Sequence, residues 1–321
     1  MRNRSRWLAA LAVAVTALAG CGGDDNGGGG GGTGPATVRV QDTAGVPSAF
    51  LEYGVQKGLF KKRDLNVKVT PSQGGATVVP SVVAGKVDIG GSNVVSVLLA
   101  HGKGIPVKIV APGTFVQTDP KRDFSAILAA PGSGIRSPKD LEGKTLAVNT
   151  LKNVAELTAK ASLETKGVDV SRLKLTEVDF PDMVPALGQH RVDAAFAIEP
   201  FVTAGIKAGD RVVDRPYVGT KPGLQIGCYF ASEKYVDSHG DVVKRFREGV
   251  ADTASAVAKD PAAFRSFLPK AAKIPPAAAR KTILPAWKAD NDQASLALTA
   301  TLMARYGVVK KKPDVSEVVA K

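Results

Sequence analysis

The strongest constraint on the fold of this chain is an alternation that begins at Val38, where short β-branched runs are followed by stretches with apolar residues at helical spacing. Val38-Arg39-Val40 opens the first unit. After the turn Ala44-Gly45-Val46-Pro47, a helix starting near Ser48 sets Leu51, Val55 and Leu59 on one face. Val67-Lys68-Val69 follows as a strand, then the loop Ser72-Gln73-Gly74-Gly75, a helix carrying Val78, Val79, Val82 and Val83, and the strand Val87-Asp88-Ile89. A β-α-β-α-β series of this kind folds as a mainly parallel sheet flanked by helices.

A second series repeats the plan. Val107 to Val110 and Phe124 to Ala129 read as a strand and the way out of the first lobe. Ser137-Pro138-Lys139-Asp140 reads as a helix start, with a serine cap, proline at the first helical position and an acid three residues after the cap. Strands at Thr145 to Val148, Leu173 to Val178 and Val192 to Phe196 alternate with helices around Val154, Leu157 and Ala161 and from Met183 to Leu187. Lys86-Val87-Asp88 in the first series parallels Arg191-Val192-Asp193 in the second, which points to two similar lobes. Asp88 and Asp193 are expected to cap backbone N–H groups rather than to touch a ligand. The strand Ile226 to Ala231 returns the chain to the first lobe, and the rest is helical, cut by Asp260-Pro261, Pro275-Pro276 and Pro285. The expectation is an α/β protein with one lobe from 37–128 and 225–321, the other from 129–224, and a hinge at the two crossings.

The first residues bear on the compartment. Arg2, Arg4 and Arg6 precede an apolar run from Trp7 to Leu18, the order of an export signal. That run is about a dozen residues long, short of the roughly 20 that span a bilayer as a helix. It ends in Leu18-Ala19-Gly20-Cys21, which resembles a lipobox. The resemblance implies a signal peptide over 1–20, lipidation of Cys21 and a mature chain anchored to the membrane. The glycine-rich stretch that follows, within 21–36, has the composition of a flexible tether.

The formal charge of +13 falls to about +10 without the three signal arginines, and would suit an anionic surface in principle. The lysines are scattered, with no aromatic interleaving or nucleic-acid motif, so a solvated surface is the reading and no nucleic-acid partner is expected. Cys21 and Cys228 are the two cysteines; with the first lipidated, Cys228 is a small core residue. His101, His190 and His239 stand alone, and no G-x-S-x-G, P-loop or G-x-G-x-x-G occurs. Histidine and cysteine are too scattered for a metal site, and nothing calls for a cofactor. No catalytic activity is expected.

Small polar residues and glycines do collect at strand-to-helix junctions, where helix N-termini present unpaired N–H groups. The junctions are Thr43 to Ser48, Ser72 to Thr77, Gly91 to Asn93 and Asn149 to Asn153. In open α/β sheets such strand ends border a ligand crevice.

At a finer grain the chain resembles the ABC-importer solute-binding proteins for nitrate, sulfonates, taurine and thiamine-pyrimidine precursors. The resemblance rests on Gly58-Leu59-Phe60, Val87-Asp88-Ile89-Gly90 leading into Gly91-Ser92-Asn93, Ser137-Pro138-Lys139-Asp140-Leu141-Glu142-Gly143-Lys144, and Val192-Asp193-Ala194-Ala195 running to Glu199-Pro200-Phe201. It implies a two-lobed type II periplasmic-binding-protein fold and ligand loops at Gly45, Val46 and Pro47, at Gln73, Gly74 and Gly75, at Gly91, Ser92 and Asn93, at Asn149 and Thr150, and near Glu199. No Arg or Lys falls within the first-lobe loops, so an anion would be held by N–H groups and hydroxyls. Asp42, Asp179 and Glu199 approach the expected cleft and would favour a ligand with an amine or protonated ring nitrogen. Phe115, Phe180, Phe201 and Tyr229 are candidates for the pocket wall or the core.

Together these features lead to an expectation of a monomeric, extracytoplasmic, lipid-anchored solute-binding protein that works with the transmembrane subunits of an ABC permease. Its ligand would be a sulfonate, taurine or nitrate, or alternatively a thiamine-pyrimidine precursor. The rival from another class is an enzyme on the same fold.

Overall fold

The computed structural model describes residues 34–72 and 74–320. The expected signal peptide, the anchor at Cys21, most of the tether and Gln73 lie outside the described residues. In chain order the strands are β1 (Ala36–Thr43), β2 (Leu65–Ser72), β3 (Ile89–Asn93), β4 (Val107–Pro112), β5 (Thr114–Phe115), β6 (Ser125–Ala129), β7 (Thr145–Val148), β8 (Lys174–Glu177), β9 (Ala194–Ile198), β10 (Arg211–Asp214), β11 (Gly227–Ser232) and β12 (Ala286–Trp287). The helices are α1 (Val46–Gln56), α2 (Gly75–Val83), α3 (Val94–Gly102), α4 (Val154–Glu164), α5 (Phe180–Gly188), α6 (Phe201–Ala208), α7 (Pro216–Thr220), α8 (Glu233–Ser238), α9 (Gly240–Lys259), α10 (Pro261–Ala271), α11 (Pro276–Lys281) and α12 (Gln293–Arg305).

Two five-stranded sheets result, ordered β2-β1-β3-β11-β4 and β8-β7-β9-β6-β10. In each, the first three strands run parallel. The fourth arrives from the other lobe and runs antiparallel to both of its neighbours. The expected twin α/β lobes are present, and their sheets correspond strand for strand. The chain enters the second sheet at Ser125, ahead of the expected 128/129 boundary.

One paired device fixes the correspondence. Asp88 accepts a hydrogen bond from the Arg39 N–H at 2.7 Å, and Asp193 accepts one from the Thr145 N–H at 2.7 Å. In return the Asp88 N–H donates to the Arg39 carbonyl at 2.9 Å and the Asp193 N–H to that of Thr145 at 3.0 Å. Both aspartates therefore cap backbone groups, as expected. Because each turns its carboxylate onto the first strand, the third strand begins only after it, at Ile89 and Ala194 rather than at Val87 and Val192. Gly91, Ser92 and Asn93, expected as a loop, are consequently the last residues of β3.

Two local expectations also change. The Ser137-Pro138-Lys139-Asp140 start forms a single 3-10 turn over Pro138–Leu141, with the Asp140 carboxylate accepting from the Ser137 N–H at 2.8 Å. Helix α1 buries Leu51 but not the whole Leu51, Val55, Leu59 face: Val55 is exposed and the helix ends at Gln56, before Leu59. The larger rings decide its rotation. Phe50 stacks on Trp287 with centroids 4.6 Å apart, and Tyr53 meets Phe264 edge-on at 5.3 Å. Each buried aromatic of this kind contributes roughly 1.5–3 kcal/mol, more than one valine at the helix edge can offset.

The core has two parts. One packs α1, α9 and α10 on the outer face of the first sheet through Phe50, Phe246 and Phe264. The other is shared by the lobes, running from Val94 and Leu98 on α3 through Leu157 on α4 to Leu296 and Met303 on α12. Within that shared zone the buried Asn153 Nδ2 donates to Ser96 Oγ at 3.0 Å, joining the first turn of α3 to the cap of α4. Among the described residues no helix is long and apolar enough to cross a membrane.

Candidate functional site

The carboxyl ends of the parallel strands in one sheet face those of the other, and between them lies a cavity of about 70 Å³. The first lobe supplies Asp42 and Thr43 at the end of β1, Ser92 and Asn93 at the end of β3, and Pro47 and Gly74 at or just ahead of helix starts. Gly113, Thr114 and the segment Ile226 to Tyr229 close that side. The second lobe supplies Asn149 after β7, Ile198 at the end of β9, Val154 and Phe180 at the first turns of α4 and α5, and the rings of Phe124 and Tyr217. The polar groups are mostly neutral and the walls largely apolar or aromatic, the usual make-up of a small-molecule site.

Asp42 is the charged side chain among the described lining residues. It is 3% exposed, and burial pushes its carboxyl up to about 7, against the pull of its donors. Those donors are the Thr43 N–H at 2.7 Å and the Tyr229 O–H at 3.3 Å. Gly91 makes this arrangement possible, since a Cβ there would lie 2.1 Å from Asp42 Oδ1. Ser92 Oγ and Asn149 Oδ1 are buried without a hydrogen-bond partner. Unsatisfied polar atoms on a cavity wall are groups that a solute or water would complete.

Five of the residues expected to bind ligand line this cavity: Pro47, Gly74, Ser92, Asn93 and Asn149. Gly45, Val46, Gly91 and Thr150 flank it along the chain without lining it, Gly75 opens α2, and Gln73 lies outside the described residues. Gly45 (φ 101°) precedes α1, and Val46 is buried there. Asp179 is exposed at the start of α5, beside the lining residue Phe180 but not itself lining the cavity. Glu199 is buried 3% exposed, its carboxylate accepting from the Thr203 hydroxyl at 2.9 Å, the Thr203 N–H at 3.0 Å and the Ile283 N–H at 3.1 Å. Burial pushes the Glu199 carboxyl up, opposed by these donors, so it ties α6 to the C-terminal segment instead of facing a solute.

Phe180 and Tyr229 line the cavity, whereas Phe201 stacks behind Phe180 at 6.2 Å and Phe115 is fully buried in β5. Cys228 is buried and touches the cavity, and burial pushes its thiol up, away from a nucleophilic thiolate. No histidine lines the cavity, and no group of His, Cys, Asp or Glu among the described residues is arranged to hold a metal.

Thr114, Phe124 and Tyr217 line the cavity although the sequence pattern does not point to them. Gly113 and Thr114 follow β4, which ends at Pro112, and so sit at a strand tip like the other lining residues of the first lobe; the sequence signal for them is the position of that strand end. Phe124 sits ahead of β6, which runs antiparallel, so its start and not its end meets the cleft.

Residues 48–264 match the family described as NMT1/THI5 like. The chain belongs to that family. The resemblance drawn from the motifs is thereby borne out, and the family's fold is seen again in solved structures. The alkanesulfonate-binding protein SsuA from Xanthomonas axonopodis pv. citri, bound to MOPS, superposes with a TM-score of 0.75 at 19% identity, covering 90% of this chain and 99% of that one. The periplasmic aliphatic sulphonate binding protein SsuA from Escherichia coli gives 0.72 at 19% identity, with 89% and 92% covered. The ligand binding component of an ABC-type import system from Staphylococcus aureus, with zinc bound, gives 0.74 at 15% identity, with 89% and 96% covered. No curated protein matches the chain.

Proposed function

We propose that this family member is the extracytoplasmic solute-binding subunit of an ABC importer, acting as a monomer held to the membrane through a lipid on Cys21. The observation that carries this reading is the cavity enclosed by strand ends of both sheets, because a solute there contacts two lobes joined by two chain crossings. A ligand bridging the lobes favours their closed arrangement, which a permease can recognise. The cavity has room for about five water-sized groups, the size of taurine, a short sulfonate or nitrate. The similarity to the Xanthomonas alkanesulfonate-binding and Escherichia sulphonate-binding proteins supports the sulfonate class. A thiamine-pyrimidine precursor is a second reading, favoured by the rings of Phe124, Phe180, Tyr217 and Tyr229 around the cavity.

Calorimetric titration with taurine, ethanesulfonate, nitrate and 4-aminopyrimidine tests the assignment. Saturable binding of at least one, with that compound recovered chemically unchanged, is expected. Turnover of a bound compound would favour the enzyme, and no heat with any of the four would remove both ligand classes.

A further inference from the structure

Asp42 is set apart by its surroundings. The other polar side chains on the cavity wall, among them Thr43, Ser92, Asn93, Thr114, Asn149 and the phenols of Tyr217 and Tyr229, are neutral, and no Lys, Arg or His among the described residues lines it. A carboxylate inside a largely apolar chamber repels nitrate or a bare sulfonate and attracts a positive charge or an N–H donor. The Thr43 N–H and the Tyr229 O–H occupy one site on each Asp42 oxygen, and a carboxylate has about four acceptor sites in all. Ser92 Oγ, 6% exposed on β3, and Asn149 Oδ1, from the opposite lobe, are also without partners. Ser92 Oγ can donate or accept, whereas the free capacity of Asp42 and of Asn149 Oδ1 is for accepting, so an N–H donor satisfies both sides of the cleft. The strand beside Asp42 is also shaped around its carboxylate, since only a glycine at 91 leaves it space.

We infer that Asp42 is the specificity-determining residue of the cavity, selecting solutes that present an amine, an amidine-like edge or a protonated ring nitrogen and rejecting plain anions. This rests on the reading of the cavity as a solute site and divides the candidate ligands within it: taurine and aminopyrimidines on one side, nitrate and simple alkanesulfonates on the other.

The selection carries a pH signature. The titratable groups facing Asp42 are Tyr229 and Cys228 on β11, both pushed up by burial and so neutral near pH 7; β3 faces it with Gly91 and Ser92, and α1 with Pro47. With its own carboxyl raised to about 7, Asp42 is roughly half protonated at neutral pH. A cationic solute binds the ionised form, so its capture releases a proton and strengthens as pH rises. An anion prefers the protonated form and shows the opposite trend.

The test uses matched pairs that differ by one amine: taurine against ethanesulfonate, and 4-aminopyrimidine against pyrimidine. Expected is at least about a tenfold preference for the amine-bearing member of a binding pair, and for taurine about a tenfold gain in affinity from pH 6 to pH 8.5. Asp42→Asn should abolish the preference. Tyr229→Phe, which keeps the carboxylate, should retain it, and the wild-type comparison stands even if a variant fails to fold. Ethanesulfonate or pyrimidine binding as tightly as its amine partner would overturn the inference while leaving the solute site intact. Silence from all four probes would overturn the site reading, and the inference with it.

Discussion

The two lobes share a scaffold and differ at the cleft. Aligning them on the Arg39–Asp88 and Thr145–Asp193 caps, and on the pairs Gln41 with Gly90 and Ala147 with Ala195, places Asp42 at the position of Val148. Gly91, Ser92 and Asn93 then correspond to Phe196, Ala197 and Ile198. One lobe thus ends its strands in a carboxylate, a glycine, a hydroxyl and an amide, and the other ends the same strands in a buried apolar set. Gly91 is a glycine because a carboxylate stands beside it; the equivalent Phe196 is fully buried in the core, as is Val148 at the place of Asp42. The backbone decides where the cleft is, and a few side chains at the strand tips decide which half recognises polarity and which supplies the wall.

The largest expected effect on binding comes from erasing the polar half. Gly91→Ala drives a methyl into Asp42, whose Oδ1 and Cγ would both lie within 2.3 Å, and should weaken binding of any amine-bearing ligand by about a hundredfold, near 3 kcal/mol by calorimetry. The largest expected effect on folding comes from the stability that the cleft sacrifices. Asp42 has a higher carboxyl pKa folded, about 7, than its ordinary 3.8, so the folded state binds this proton more tightly and the contribution is complete below about pH 4 and lost as pH rises through 7. Asp42→Asn should therefore raise stability in urea at pH 8.5 by up to about 4 kcal/mol and leave it unchanged near pH 4. Val148, at the equivalent place in the other lobe, brings no such pH dependence.

The shared zone gives a smaller effect. Ser96→Ala removes the acceptor for the buried Asn153 amide and should cost about 1–2 kcal/mol of unfolding free energy. It should also lower apparent ligand affinity severalfold, by favouring the open arrangement. The smallest effect should come from Arg39→Ala. Arg39 pairs with Asp88 at 2.6 Å, yet half of its side chain is exposed, and Thr145 serves the matching backbone role without a charge. A loss below about 1 kcal/mol is expected, shrinking further in high salt.

Much of the fold was readable in the sequence because it is written as periodicity. β7 and α4 fall where Thr145 to Val148 and Val154 to Ala161 placed them, and the Lys-Val-Asp and Arg-Val-Asp parallels marked the repeat. What periodicity misses is set by tertiary contact. The face of α1 follows from Trp287, more than two hundred residues away in the chain, and the starts of β3 and β9 follow from aspartate side chains that turn back onto another strand. The site divides in the same way. Pro47, Gly74, Ser92, Asn93 and Asn149 sit at junctions that local pattern reveals, whereas Phe124 and Tyr217 enter near the chain crossings, the Glu199 carboxylate is taken up by Thr203 and Ile283, and Asp179 is exposed.

A crystal structure with the tightest-binding member of the titrated panel tests the account most directly. The solute should lie between the strand ends of the two sheets, with a nitrogen within hydrogen-bond distance of the Asp42 carboxylate and further contacts to Ser92 and to Asn149 across the cleft. A solute held by one lobe alone, or bound away from Asp42, would contradict it.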